Sequence, residues 1–193
     1  MRLISERAAR TVLHEVGVSD WSARRVLAAG LAGTPVWAGG AVLHDADRVA
    51  ELASRQEVDW AEVDARCPCG LFVCKRPIAL VDGRPPPLES LAPGWEVVSR
   101  WVRVAVSVGV ERGDALPFLA TTGGFVVLGA DVVGVETERD GGRGAARLVL
   151  TPPGAWFSGF EARRLGTGPG RPWTVHAPHG LAGARVRRGR IPA

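Results

Sequence analysis

Three groups of residues in this chain are of types that perform chemistry, and their spacing decides what each could do. Cys67-Pro68-Cys69 is followed by Cys74, and His176 and His179 stand far along the chain. Thiolates and imidazoles suit tetrahedral zinc, but a knuckle separates its paired cysteines by two residues so that both sulfurs turn to one ion. Here one residue intervenes and no second pair follows. Cys67, Cys69, His176 and His179 are therefore the zinc candidates, with inert thiols beside a strand as the favoured reading. Asp131, Glu136 and Glu138 could gather around magnesium as in a nuclease, although Glu136 and Glu138 share a strand face where paired acids are ordinarily solvated. Thr121-Thr122-Gly123-Gly124 could cradle a phosphate with its amides, yet it lacks the Lys-Ser/Thr of a P-loop and reads as a hairpin turn. No nucleophile elbow accompanies the histidines. The chain is not expected to be an enzyme or to need a cofactor.

The arginine pair Arg24-Arg25 offers a different chemistry. Two guanidinium donors match the O6 and N7 of guanine, worth roughly 1–3 kcal/mol of discrimination per good contact, or they hold phosphate. Both lie in Ser19 to Ala29 (SDWSARRVLAA), which has helical spacing and a serine suited to its N-cap. Ser5 to Val16 reads as a preceding helix whose Leu3, Ile4, Ala8, Ala9, Val12, Leu13 and Val16 pack inward, and Gly17 permits the abrupt stop between the two. Two short extended runs follow about Gly39-Gly40, and Asp45 caps a third helix through Ser54. On the second helix Val18, Ala23, Val26 and Leu27 turn inward, leaving Asp20, Trp21, Ser22, Arg24 and Arg25 outside. Trp37, in the hairpin, is read either as a contact to DNA or as a cover for the small core beneath.

With that order of elements, Gly17-Val18-Ser19, Ser22, Arg24, Gly30-Leu31, the hairpin and Asp45 to Leu52 resemble the MerR-type and excisionase-type winged helix-turn-helix DNA-binding domain. The resemblance covers the N-terminal quarter. It implies a recognition helix at residues 19–29 whose leading end enters the major groove, with the hairpin as a wing beside the backbone. The residues it nominates for DNA are Ser19, Trp21, Ser22, Arg24, Arg25 and Trp37.

The remainder of the chain reads as β-rich. A short helix is expected between Glu57 and Arg66, with Asp59 and Glu62 as a capping box and Val58 and Val63 as a hydrophobic staple. Strands are expected at Leu71 to Val81, Val102 to Val110, Phe118 to Thr121, Phe125 to Leu128, Val132 to Glu138 and Ala145 to Leu150, the last two joined across Asp140-Gly141-Gly142. Past Pro152-Pro153 the chain becomes irregular, with Trp156, Phe157 and Trp173 as anchors. The expected class is α+β: a winged helix-turn-helix at residues 1–56, a linking helix and turn at 57–70, a mainly antiparallel barrel- or sandwich-like domain at 71–160, and a Gly/Pro/Arg-rich segment at 161–193.

Composition narrows the partners. A 46% hydrophobic content in 193 residues supports a buried core, and no apolar run approaches a membrane span. Three cysteines do not form a secreted disulfide framework, so a cytoplasmic location without a membrane partner is expected. The net charge of +4 is uneven: residues 161–193 carry seven arginines against one acid, whereas residues 57–160 carry ten basic residues against thirteen acids. Arg185, Arg187 and Arg188 in that basic end are expected to hold phosphates without reading sequence. The expected function is a transcriptional regulator on double-stranded DNA, with the β-rich region serving a homodimer, a small molecule or a protein partner. The alternative is a β-rich binding or hydrolytic domain that uses the helix-turn-helix as a protein-interaction adaptor.

Overall fold

The computed structural model describes residues 1–91, 96–97, 113, 115–137, 145–167 and 172–176. Strand β1 (Leu3–Ser5) runs into helix α1 (Glu6–Glu15), where the Ser5 hydroxyl accepts from the Ala8 amide at 3.3 Å. Gly17 takes a left-handed φ of +82° and helix α2 (Asp20–Ala28) follows, with Ser19 Oγ accepting from Ser22 N at 3.2 Å. Strands β2 (Val36–Ala38) and β3 (Ala41–Asp45) pair antiparallel across Gly39-Gly40. Asp45 then caps helix α3 (Ala46–Ala53) by accepting from Asp47 N at 2.9 Å. Local signals account for each of these boundaries.

Leu3 and Ile4 depart from the expected helical face. They form β1, which adds to β3 in a three-stranded sheet ordered β1-β3-β2. Capping by Ser5 starts the helix only at Glu6, and the free edge of β3 takes up the residues before it. His44, opposite Ile4 in this sheet, is 2% exposed, and among the described residues neither ring nitrogen has a hydrogen-bond partner. Burial holds its pKa below the ordinary imidazole value of 6.5, with the Glu6 carboxylate pulling weakly the other way. The unfolded chain therefore takes up this proton first as pH falls. The stability contribution is complete above 6.5 and is lost as pH drops below it toward the depressed native value. His44→Leu is expected to flatten the dependence of the urea midpoint on pH between about 8 and 5, and an unchanged slope would refute this.

The chain as a whole is α+β, and its second part is built on a large curled sheet. Its strands are β4 (Glu57–Val58), β5 (Leu71–Cys74), β6 (Glu96–Val97), β7 (Leu116–Thr122), β8 (Phe125–Thr137), β9 (Ala145–Thr151), β10 (Arg164–Leu165) and β11 (Trp173–His176). The main path runs β11-β5-β7-β8-β10-β4, with β9 joined to β8 and β6. Helices α4 (Trp60–Arg66) and α5 (Leu88–Leu91) and a 3-10 turn (Ala155–Gly159) pack around it. Among the described residues, no helix is long and apolar enough to cross a membrane.

Every residue of β7 is buried because both faces of the sheet are covered. Phe118 and Ala120 join Phe72, Ile78 and Leu128 on one side, while Leu119 joins Val58, Val63, Leu71, Val73 and Phe160 on the other. A strand covered on both sides needs no polar alternation, which explains the sequence LPFLATT. Trp156 and Phe157 pack against the second of these clusters, and the Trp173 ring stacks at 6.0 Å from that of Phe72.

Several expected elements are revised. The strand expected to reach Val81 ends at Cys74, because Pro77 cannot donate to a ladder and threonine side chains engage the backbone that follows. Thr121 Oγ1 donates to Cys74 O at 3.2 Å, and Ile78 N donates to Thr122 Oγ1 at 2.9 Å. Two strand pairs, β5 with β7 and β4 with β10, are parallel within an otherwise largely antiparallel sheet. Glu57 and Val58 are strand rather than helix. Asp59 caps α4, but Glu62 does not close a capping box: its carboxylate accepts from Arg66 Nε at 3.0 Å and Arg163 Nη1 at 2.8 Å. The expected runs Phe125 to Leu128 and Val132 to Thr137 belong to the single strand β8, which pairs antiparallel with β9. The expected strand at 102–110, Glu138 and the turn at 140–142 lie outside the described residues.

Candidate nucleic-acid interface and the adjoining cleft

Successive residues of α2 are rotated by about 100°, so its faces follow from a few contacts. Ala23, Val26 and Leu27 are buried against Ala9 and Leu13 of α1 and Val49 and Leu52 of α3. One flank is occupied by the β7–β8 turn: a Cβ added to Gly123 would lie 2.6 Å from Val26 Cγ2 and 2.8 Å from Ser22 O. The loop after β5 continues along this flank, where Leu80 N donates to Ala29 O at 2.9 Å. Opposite the buried stripe stand Trp21, Arg24 and Arg25. This arc is open.

Trp21 is 63% exposed, and the Arg25 guanidinium carbon sits 4.2 Å from its ring centroid. Such a cation–π contact orients the guanidinium while leaving its edge donors available. Arg24 Nε lies 3.0 Å from Asp20 Oδ2, and Arg10 bonds the same carboxylate through Nε at 2.7 Å. The Arg10 hydrogen bond is the main reason that the Asp20 carboxyl is held below its usual pKa. Asp20 therefore clamps α2 to α1.

The other nominated residues occupy different settings. The Ser19 hydroxyl is engaged in its own helix cap and Ser22 is half-buried beneath Gly123. Trp37 is 73% exposed on β2, so it does not cover the core beneath the hairpin. Arg185, Arg187, Arg188 and His179 lie outside the described residues.

Beside the open arc lies a cleft of about 830 Å³. Val18, Ser19, Trp21, Ser22 and Arg25 form its wall on the α2 side. Lys75, Arg76 and Pro77, the Gly123-Gly124 turn, residues 164–167 and Pro172 line it as well, together with Glu57. Arg164 ties the walls together: Nε donates to Arg55 O and Nη1 to Val16 O, each at 3.0 Å, and its guanidinium lies 5.8 Å from the Phe125 ring. The two threonine bonds that end β5 also hold the Lys75–Pro77 loop here. Gly123 entered the sequence reading only as part of a hairpin turn weighed against a phosphate cradle, and Lys75, Arg76 and Arg164 carry no nomination from sequence. The one hint was the chain's sole lysine directly before an arginine and a proline.

The metal candidates behave otherwise. Among the described residues, no group of three or more His, Cys, Asp and Glu is placed to hold an ion. Cys67 is buried, which pushes its thiol pKa up to about 12, while Cys69 is exposed. His176 Nε2 lies 2.5 Å from Asp64 Oδ1 and its ring is 4.5 Å from that of Trp60. Asp131 accepts from Gly154 N at 2.9 Å and Trp156 Nε1 at 2.7 Å, so this carboxylate anchors the 3-10 turn.

No family model, characterised protein or solved structure matches the chain. The functional reading therefore rests on the geometry of α2 and its surroundings.

Proposed function

We propose that the chain binds double-stranded DNA through α2 and acts as a transcriptional regulator. In this reading the N-terminal unit is a winged helix-turn-helix, with α2 as recognition helix and the β2–β3 hairpin as wing. The observation that carries it is the open arc: α2 uses one face for the core and one flank for the sheet, yet its outward side presents Arg24, Arg25 and Trp21. A helix that turns guanidiniums outward from its middle, with an indole in its first turn, offers donors of the kind that pair with base edges in a major groove. Trp37 adds an aromatic contact on the wing, which carries no arginine or lysine. If two copies associate about a two-fold axis, half-sites one helical turn apart are expected.

Selection of duplexes from a random pool, followed by titration over a range of salt, tests the proposal. Retention is expected to fall steeply with salt, and Arg24→Ala with Arg25→Ala is expected to remove sequence preference at a cost of about 1–3 kcal/mol per lost base contact. Failure to retain duplex at low salt, or an unchanged preference in the double variant, would refute it. One observation favours the adaptor reading instead: Gly123 closes on the α2 flank and Phe125 enters the core of the N-terminal unit. Under that reading both arginines are dispensable for every binding event.

A further inference from the structure

The sheet unit covers one flank of α2 at close range, and a duplex would make demands on that flank. The backbone of the β7–β8 turn lies against the first turn of the helix: a Cβ built on Gly123 would stand 2.8 Å from Ser22 O and 3.2 Å from Ser22 Cβ. At the other end of α2, Leu80 N donates to Ala29 O at 2.9 Å. Arg164 of β10 fastens the sheet unit to the residues before α2 and after α3, through Val16 O and Arg55 O.

The outward side chains of α2 stand close to these contacts, since Trp21 and Arg25 line one cleft with Pro77, Gly123 and Gly124. An α-helix with its side chains is about 10–12 Å across, and the major groove is about 12 Å wide. A seated helix therefore fills the groove from one phosphate ridge to the other. The turn and loop that rest on α2 occupy space that one of those ridges needs.

We propose that this arrangement is autoinhibited: the β7–β8 turn and the loop after β5 must leave the flank of α2 before the helix seats in a groove. Autoinhibition in this sense rests on the DNA-binding reading and adds to it a closed form that binds duplex weakly and an open form that binds it fully. The observed affinity is then the open form's affinity scaled by the fraction of molecules that are open. Whatever loosens the contacts of Gly123 or Arg164 raises that fraction. Duplex, by preferring the open form, draws the chain toward it.

Duplex selected from the random pool is titrated with the full chain, with Gly123→Ala and with Arg164→Ala. The added methyl of Gly123→Ala meets α2 only in the closed form, so affinity is expected to rise by about tenfold or more. Arg164→Ala deletes a cation, which by electrostatics alone weakens duplex binding, so its expected gain of about threefold or more has no source but release. Misfolding mimics neither gain. On the parent chain, thermolysin cleavage in the loop after β5 is expected to speed up by about threefold or more once duplex is bound, because the loop loses its support on α2.

An affinity that is unchanged or lower in both variants overturns the autoinhibition, and so does parent cleavage that duplex leaves unchanged or slows. In either case retention of duplex by the parent keeps the DNA-binding reading standing. If none of the three chains retains duplex, the DNA-binding reading falls and the autoinhibition falls with it.

Discussion

Truncating Phe125 to alanine is expected to destabilise the chain by about 3–5 kcal/mol, the cost typical of emptying a fully buried phenyl site. The residue is 0% exposed, and its backbone begins β8 while its side chain lies in the cluster of Ala9, Leu13, Val26 and Leu52. The cavity would therefore open in the N-terminal unit although the residue belongs to the sheet. Two reporters distinguish this from an ordinary core truncation: urea unfolding followed by far-ultraviolet circular dichroism and by tryptophan fluorescence. In the parent chain the two curves are expected to coincide, because Phe125, Arg164 and Gly123 join the parts. In Phe125→Ala the helical signal is expected to be lost at lower urea than the sheet's. A loss below about 1 kcal/mol with coincident curves would show that the ring does not couple them.

Gly123 gives the second large effect, and Gly39 supplies its control. Both have positive φ, +59° at Gly123 and +58° at Gly39, so alanine meets similar backbone strain at either. That strain costs about 1–2 kcal/mol. At Gly39 a new Cβ meets nothing within 4 Å, whereas at Gly123 it meets Val26 Cγ2 at 2.6 Å and Ser22 O at 2.8 Å. The carbonyl belongs to the α2 backbone and has little freedom to give way. Gly123→Ala is thus expected to cost about 1–3 kcal/mol beyond Gly39→Ala, by forcing the hairpin off α2. Protease cleavage in the loop after β5 should rise with it, because that loop also rests on α2 through Leu80. Equal losses in the two variants would show that the turn yields without leaving the helix.

The legible parts of this fold are those decided by residues close in sequence. Ser5, Ser19, Asp45 and Asp59 each cap the helix that follows them, and Gly39-Gly40 turns the hairpin it interrupts. Once a partner far along the chain decides the outcome, the pattern fails. Leu3 and Ile4 suit a helix face as well as a strand, and only the presence of β3 chooses between them. The run after Leu71 looks extended as far as Val81, yet hydroxyls on Thr121 and Thr122 take its backbone bonds from Cys74 onward. The apolar run of β7 says that its faces are buried but not that it lies parallel to β5, since the residue pattern of a doubly covered strand carries no direction.

The same distinction explains the candidate site. Trp21, Arg24 and Arg25 were legible because helical spacing alone turns them away from Ala23 and Leu27. The cleft was not, because its walls come from α2, the loop after β5, the turn after β7 and the segment after β10. Nothing local to Lys75 or Arg164 points toward Trp21. The role of Asp20 is hidden in sequence for a related reason: its partner Arg10 stands on the preceding helix.

The placement of Phe125 has a consequence for biosynthesis. When the ribosome has released α1, α2 and α3, the ring that fills the space among Ala9, Val26 and Leu52 has yet to be made. β4 likewise waits for its partner β10, from which more than half the chain separates it. The nascent helices must persist with an apolar hole facing water while the intervening strands are translated, a state open to chaperones and to wrong associations. Slowing elongation between codons 60 and 125 should lengthen that exposure and lower the yield of native protein.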